Sequence, residues 1–219
     1  MKTILCYGDS NVRGVTPEPL DERTGLTKRH IKNKRWTGLL QIKLGEKYDV
    51  VEEGMGGRTT MFDEIIPGRP YRNGLTQLPV CLESHYPIDL VIFMLGTNDV
   101  KIQFNASSEE ITQGMYQLVK MVKECDKGPF ESAPKILIIS PAPIIKIPNL
   151  FPQFNENSII KSGELASLYQ ELAKNEGCYF LDASLFITSS KLDGFHLDEA
   201  QSLLLANAVA EKVMQILQN

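Results

Sequence analysis

Five short runs rich in β-branched and aromatic residues recur along the chain, at Thr3–Tyr7, Tyr48–Glu52, Leu90–Leu95, Lys135–Ser140 and Tyr179–Leu181. Each has the length of a buried strand, and none is long enough to make a helix of typical size. Between them the apolar residues change period. Trp36, Leu39, Leu40 and Leu44 form one stripe at helical spacing. Ile111, Met115, Leu118, Val119 and Val122 form a second, and Leu165, Leu168, Tyr169 and Leu172 a third. After the last run, Asp198 and Gln201 have the spacing of a capping box, and Leu203, Ala206, Ala210, Val213 and Leu217 follow at three- and four-residue steps. Strands that alternate with helices, and that are apolar on both faces, predict a parallel sheet covered on each side. Right-handed crossovers then lead to a three-layer α/β/α sandwich around a doubly wound, flavodoxin-like five-stranded parallel sheet.

A chain of 219 residues suits one large domain, and no repeat or linker divides it, so residues 1–219 are expected to form a single unit. Two irregular stretches interrupt the pattern, 17–35 and 144–160. The first carries Lys28-Arg29-His30 and Lys32-Asn33-Lys34-Arg35, which read as a solvated loop. The second mixes prolines with Ile147, Leu150, Phe151 and Phe154, the composition of a binding surface or subunit contact.

Composition removes several classes of function. A net charge of -4 offers no electrostatic footprint for nucleic acid or an anionic membrane. The cysteines at 6, 81, 125 and 178 contain no CxxC and no short Cys-His spacing, so no zinc site is expected; their even count leaves a disulfide framework open, but a chain of this size does not need one. The apolar run after Met1-Lys2 is shorter than a signal-peptide core, and nothing approaches a membrane span. A cytoplasmic protein is the expectation.

In an open parallel sheet the ligand crevice lies beyond the carboxyl ends of the strands. The polar, reactive residues collect there. Gly8-Asp9-Ser10 follows the first run, Gly54 to Thr59 the second, and Gly96-Thr97-Asn98-Asp99 the third, while Asp193-Gly194-Phe195-His196 precedes the last helix. Ser10 is a nucleophile if a base and an oxyanion site lie beside it; otherwise Ser10 or Asp9 caps the following helix. His196 can be that base, because Asp193 three residues earlier can hold its Nδ1–H and leave Nε2 for the serine proton. The bland alternative is a surface histidine beside a capping acid. His30 and His85 lack such a partner in sequence. Asn98 can donate a side-chain N–H to an oxyanion and Gly57 a backbone N–H. The glycines fit neither a phosphate loop nor a dinucleotide fingerprint.

The four blocks together resemble the GDSL-type members of the SGNH hydrolases, with Gly8-Asp9-Ser10-Asn11, Gly54 to Thr60, Gly96 to Asp99 and Asp193 to His196 in the positions of the family's motifs. "RWTGLL", "VVEEGMGGRTT", "LPVCLESHYPIDLVIFMLGTND" and "DGFHLDEA" are most similar to the arylesterase/acyltransferase branch. The resemblance implies the SGNH hydrolase fold, a Ser10–His196–Asp193 triad, and an oxyanion hole from the N–H groups of Ser10 and Gly57 with the Asn98 amide. It implies an ester hydrolase, with possible acyl transfer to alcohols, on a small-molecule substrate. It also implies no metal or organic cofactor and assembly as a homo-oligomer. A carbohydrate O-deacetylase using the same residues, and a non-catalytic binding protein on the same fold, are the alternatives. Asn11 stands where the family commonly has leucine. From chain position alone, Asn11, Arg13, Val100, Phe154, Ile160 and Phe195 are expected to line the pocket.

Overall fold

The computed structural model describes residues 1–19, 27–64, 66, 68, 70–148 and 150–218. The expectations for the 17–35 and 144–160 stretches that concern residues 20–26 and 149 lie outside the described residues. Five parallel strands, β1 (Lys2–Gly8), β2 (Tyr48–Gly54), β3 (Leu90–Met94), β4 (Lys135–Ser140) and β5 (Tyr179–Asp182), form one sheet in the order β2-β1-β3-β4-β5. This is the flavodoxin-like order, as expected, with its reversal of direction between β1 and β3.

Side-chain alternation divides the core in two. Ile4, Cys6, Leu90, Ile92, Leu137 and Ile139 face one layer, formed by helices α2 (Trp36–Leu44) and α6 (Glu199–Leu217). Leu5, Tyr7, Val91, Phe93, Ile136 and Ile138 face the other, formed by α3 (Gly74–His85), α4 (Ser108–Lys123) and α5 (Glu156–Glu176). Two fully buried faces explain why the strands are almost continuously apolar. A single helical turn, α1 (Ser10–Arg13), leaves the end of β1.

Helix starts set which faces turn inward. Ser107 and Glu110 cap α4 reciprocally, and Asn155 and Ser158 do the same for α5. At α6 only half of the expected box forms. The Asp198 carboxylate accepts from the Gln201 N–H at 2.8 Å, but the Gln201 side chain accepts from the Thr188 N–H instead, at 2.9 Å. The phase set by Asp198 turns Leu205, Val209 and Val213 inward and leaves Leu203 exposed, so the predicted stripe was displaced at its first position.

The basic stretch is not simply solvated. Arg29 and Arg35 both pair with Glu52 on β2, and His30 Nε2 lies 3.1 Å from the Leu197 carbonyl. The four cysteines are free, Cys6 and Cys81 buried and Cys125 and Cys178 half-buried. No helix among the described residues is long and apolar enough to cross a membrane.

Candidate active site

Beyond the carboxyl end of β1, the chain turns directly into α1. Asp9 takes the capping role, its Oδ1 accepting the Asn11 N–H at 2.9 Å, and Ser10 becomes the first residue of the turn. The Ser10 hydroxyl is thereby left for a different partner. His196 Nε2 lies 2.9 Å from Ser10 Oγ, and His196 Nδ1 lies 2.6 Å from Asp193 Oδ2. The other Asp193 oxygen accepts the N–H groups of Phe195 and His196, both at 3.1 Å. A continuous path of hydrogen bonds thus joins hydroxyl, imidazole and carboxylate, with Ser10 7% and His196 8% exposed.

Burial pushes the Asp193 carboxyl up, but the hydrogen bond and charge of His196 and the two N–H groups outweigh it and hold the group below the usual carboxylate range. An ionised Asp193 accepts the Nδ1 proton, which leaves the Nε2 lone pair facing Ser10.

The loop bearing Asp193 and His196 is fastened on several sides. Gly194 O accepts the Ile145 N–H at 2.9 Å, Ser189 Oγ donates to Pro143 O at 2.8 Å, and Asn11 Nδ2 donates to Phe195 O at 3.1 Å. Within the loop, the Ser190 N–H donates to His196 O at 2.9 Å. The loop that carries the imidazole is therefore held by the segments that follow β1 and β4.

Facing Ser10, the residues after β2 and β3 meet. Gly57 has φ of 84°, a backbone that other residues rarely adopt, and no acceptor among the described residues takes its N–H or that of Ser10. Asn98, 5% exposed, donates through Nδ2 to the Arg58 carbonyl at 3.1 Å and stands 3.4 Å from Asp9 Oδ2. Arg58 ties the glycine loop to the end of β1. Its guanidinium donates to the carbonyls of Gly8, at 2.9 Å, and Glu53, and stacks 4.1 Å above the Tyr7 ring.

The expected pocket residues separate. Phe195 packs on the His196 ring, with centroids 4.3 Å apart, and on Phe154 at 5.1 Å, and Phe151 completes the aromatic wall. Asn11 lies beneath Ser10, its carbonyl accepting from Trp36 Nε1 at 3.1 Å. Arg13 borders the glycine loop. Val100, by contrast, is fully buried, with its carbonyl bonded to Ser158 Oγ at 2.7 Å. It anchors the start of α5. Ile160 points to solvent from the first turn of α5, 56% exposed, while its neighbour Ile159 packs on the core.

The burial of two acids below the site, Asp9 and Asp99, has no signal in the sequence. Burial pushes Asp9 up to about 6, against the lowering influence of the Asn11 N–H, His196, Lys101 and Arg58. Burial also pushes Asp99 up to about 6, although its Oδ1 accepts both the hydroxyl and the N–H of Thr60. Asp99 Oδ2 has no partner among the described residues. A carboxyl whose folded value exceeds its unfolded value of 3.8 costs stability as pH rises through the window from 3.8 to about 6. Asp99→Asn keeps the acceptor for Thr60 and removes that charge. Urea unfolding at pH 8 is expected to show the variant more stable by on the order of 2 kcal/mol, with the gain vanishing below about pH 4.

Among the described residues, no three His, Cys, Asp or Glu side chains converge as they would around a metal ion. The arrangement has parts that nucleophilic acyl transfer uses: a hydroxyl on an oriented imidazole, two backbone N–H groups without an acceptor among the described residues, and an amide bonded to the carbonyl of the residue after Gly57.

Residues 6–203 match the GDSL-like Lipase/Acylhydrolase family. The structure of an M. smegmatis aryl esterase superposes with a TM-score of 0.90 at 39% identity, covering 99% of this chain and 100% of that one. Est24, a carbohydrate acetylesterase from Sinorhizobium meliloti, superposes with a TM-score of 0.89 at 37% identity over the same shares of the two chains. An acetylxylan esterase of Xylanibacter ruminicola is 26% identical over 190 residues, 80% of this chain. The present chain spans only 37% of the length of that enzyme.

Proposed function

The chain belongs to the GDSL-like Lipase/Acylhydrolase family, and from that premise we propose that it cleaves short-chain carboxylic esters through an acyl-enzyme on Ser10. The observation that carries this reading is the unbroken path from Ser10 Oγ through His196 to Asp193, with bonds of 2.9 and 2.6 Å.

His196 Nε2 takes the Ser10 proton as Oγ bonds to the ester carbonyl carbon. The charge that develops on the carbonyl oxygen is received by the N–H groups of Ser10 and Gly57 and by Asn98. One Asn98 hydrogen stays on the Arg58 carbonyl; the second, held only loosely by Asp9 at 3.4 Å, serves the oxyanion. The tetrahedral species collapses, the bond to the alcohol oxygen breaks, and His196 returns the proton to that oxygen. Water attacks the acyl-enzyme with His196 again as base, the bond from the acyl carbon to Ser10 Oγ breaks, and His196 returns the proton to Oγ; an added alcohol in place of water gives transesterification. Asp193 stays ionised throughout and stabilises the imidazolium. The Phe151, Phe154 and Phe195 wall takes up the apolar part of the ester. In this reading the whole of 1–219 works as one domain, as a cytoplasmic homo-oligomer and without a cofactor.

A serine-directed phosphonate ester is expected to label the peptide containing Ser10, as read by mass spectrometry. A folded sample that resists labelling while hydrolysing an aryl ester would overturn the assignment. Asn98→Ala is expected to lower kcat by roughly 10²- to 10³-fold with little change in KM, because the amide matters most once the oxyanion has formed. Steady-state kinetics on an aryl acetate measures both.

Two relatives described as a carbohydrate acetylesterase and an acetylxylan esterase favour a second reading, removal of acetyl groups from carbohydrates by the same residues. Rates on acetylated sugars beside those on aryl and alkyl acetates distinguish the two.

A further inference from the structure

We propose that Arg13 makes this site selective for esters that carry a carboxylate, which the guanidinium binds at the edge of the glycine loop. The inference rests on the reading of Ser10 as nucleophile and deepens it by naming a substrate class.

Ser10 and Arg13 begin and end the same helical turn, a spacing at which side chains lie on one face. The fold fixes the position of Arg13 through its backbone. Its N–H donates to Asp9 O at 3.0 Å, and its carbonyl accepts from Arg29 Nε at 2.6 Å. The end of β2 lies directly against it, close enough that a Cβ on Gly54 would stand 2.1 Å from the Arg13 nitrogen.

From this anchored backbone the side chain reaches the loop that holds Gly57. A Cβ built on Gly56 would meet one atom within 4 Å, Arg13 Nη1 at 3.7 Å. Gly56 thus leaves an open space, bordered by the guanidinium and one residue from the proposed oxyanion donor. Arg13 is half-buried there, and no carboxylate among the described residues pairs with it.

The neighbouring charges do not supply the missing anion. Glu52 is bonded to Arg29, Arg35 and Thr37. Arg29 feels both Arg35 and Arg13 electrostatically, so among the described residues three guanidiniums share this corner with the carboxylate of Glu52. Among the described residues the corner therefore keeps an excess of positive charge beside the site, although the whole chain carries -4. The wall on the His196 side, Phe151, Phe154 and Phe195, is aromatic. A ligand matching both walls has an apolar end and an anionic end. The planar fork of arginine suits a carboxylate, which it grips through two parallel N–H donors.

The test uses two matched pairs of substrates. One places the charge in the acyl half, 4-nitrophenyl hemisuccinate beside 4-nitrophenyl valerate. The other places it in the alcohol half, 4-acetoxybenzoate beside its methyl ester. In at least one pair the intact protein is expected to favour the anionic member, and the favoured pair tells which half faces Arg13. In that pair Arg13→Gln is expected to reduce the anionic-to-neutral ratio of kcat/KM by roughly ten- to a hundredfold, chiefly through KM. Arg13→Lys should restore part of the ratio, and added salt should weaken the preference of the intact protein. An anionic-to-neutral ratio that Arg13→Gln leaves intact in both pairs overturns the inference while neutral-ester hydrolysis keeps the Ser10 reading. A preference that does not respond to salt or to Arg13→Lys also overturns it. Absence of hydrolysis of every ester overturns both.

Discussion

Replacing Ser10 by alanine is expected to end ester turnover, with kcat falling by roughly 10⁵- to 10⁶-fold, while the protein stays folded. The size follows from the role assigned to one atom. Ser10 Oγ is the group that would bond to the acyl carbon, and among the described residues its hydrogen-bond partner is His196, at 2.9 Å. The turn itself does not depend on it, because Asp9 caps α1 and the Ser10 carbonyl accepts the Val15 N–H at 2.9 Å. Thermal unfolding of Ser10→Ala should therefore remain close to that of the parent. Turnover within tenfold of the parent would remove Ser10 from the mechanism.

Asp193→Asn is expected to lower kcat by about 10⁴-fold through a change of tautomer. Asp193 Oδ1 accepts two backbone N–H groups. The asparagine carbonyl inherits those bonds, so its NH₂ must face His196 Nδ1. That nitrogen then becomes an acceptor, the ring proton moves to Nε2, and Ser10 faces an N–H where a base is needed. Loop geometry survives and the chemistry does not. Asp193→Ala, lacking the misplaced donor, should lose no more than Asp193→Asn. Because Asp193 is held below its ordinary value, its contribution to stability is present above about pH 4 and is lost as pH falls through the folded value. The stability difference between parent and Asp193→Asn should accordingly narrow in acid. A kcat for Asp193→Asn within tenfold of the parent would show that His196 does not need this partner.

The sheet was legible because its strands are buried on both faces, which leaves long apolar runs in the sequence. Lys135–Ser140 coincides with β4, whereas β1 and β2 extend to Gly8 and Gly54, which pair by backbone alone. Leu203, Leu204 and Leu205 offer three leucines for one inward place, and composition could not choose among them. The cap at Asp198 does. Around the site, Ser10, Gly57, Asn98 and His196 stand out in sequence because each follows or faces a strand end. Val100 is fully buried, and its carbonyl holds the start of α5, which chain position alone did not reveal. Asp9, Asp99 and Arg58 gave no signal of their burial, since a carboxylate inside a turn and one in water have the same sequence context. A charged GGRTT stretch hints at Arg58, but its contacts to β1 depend on three-dimensional closure.

Ser10 and His196 lie 186 residues apart, and their hydrogen bond closes the site. In the proposed mechanism, the nucleophile leaves the ribosome during synthesis long before its base exists. The early sheet can assemble around β1, β2 and β3 with the serine already in its turn, yet chemically idle. Only when the segment after β5 has emerged, and α6 has docked on α2 and the sheet, can the imidazole arrive. Reactivity toward esters is therefore a late event in the life of the chain, and recovery of activity during refolding would time the docking of its C-terminal helix.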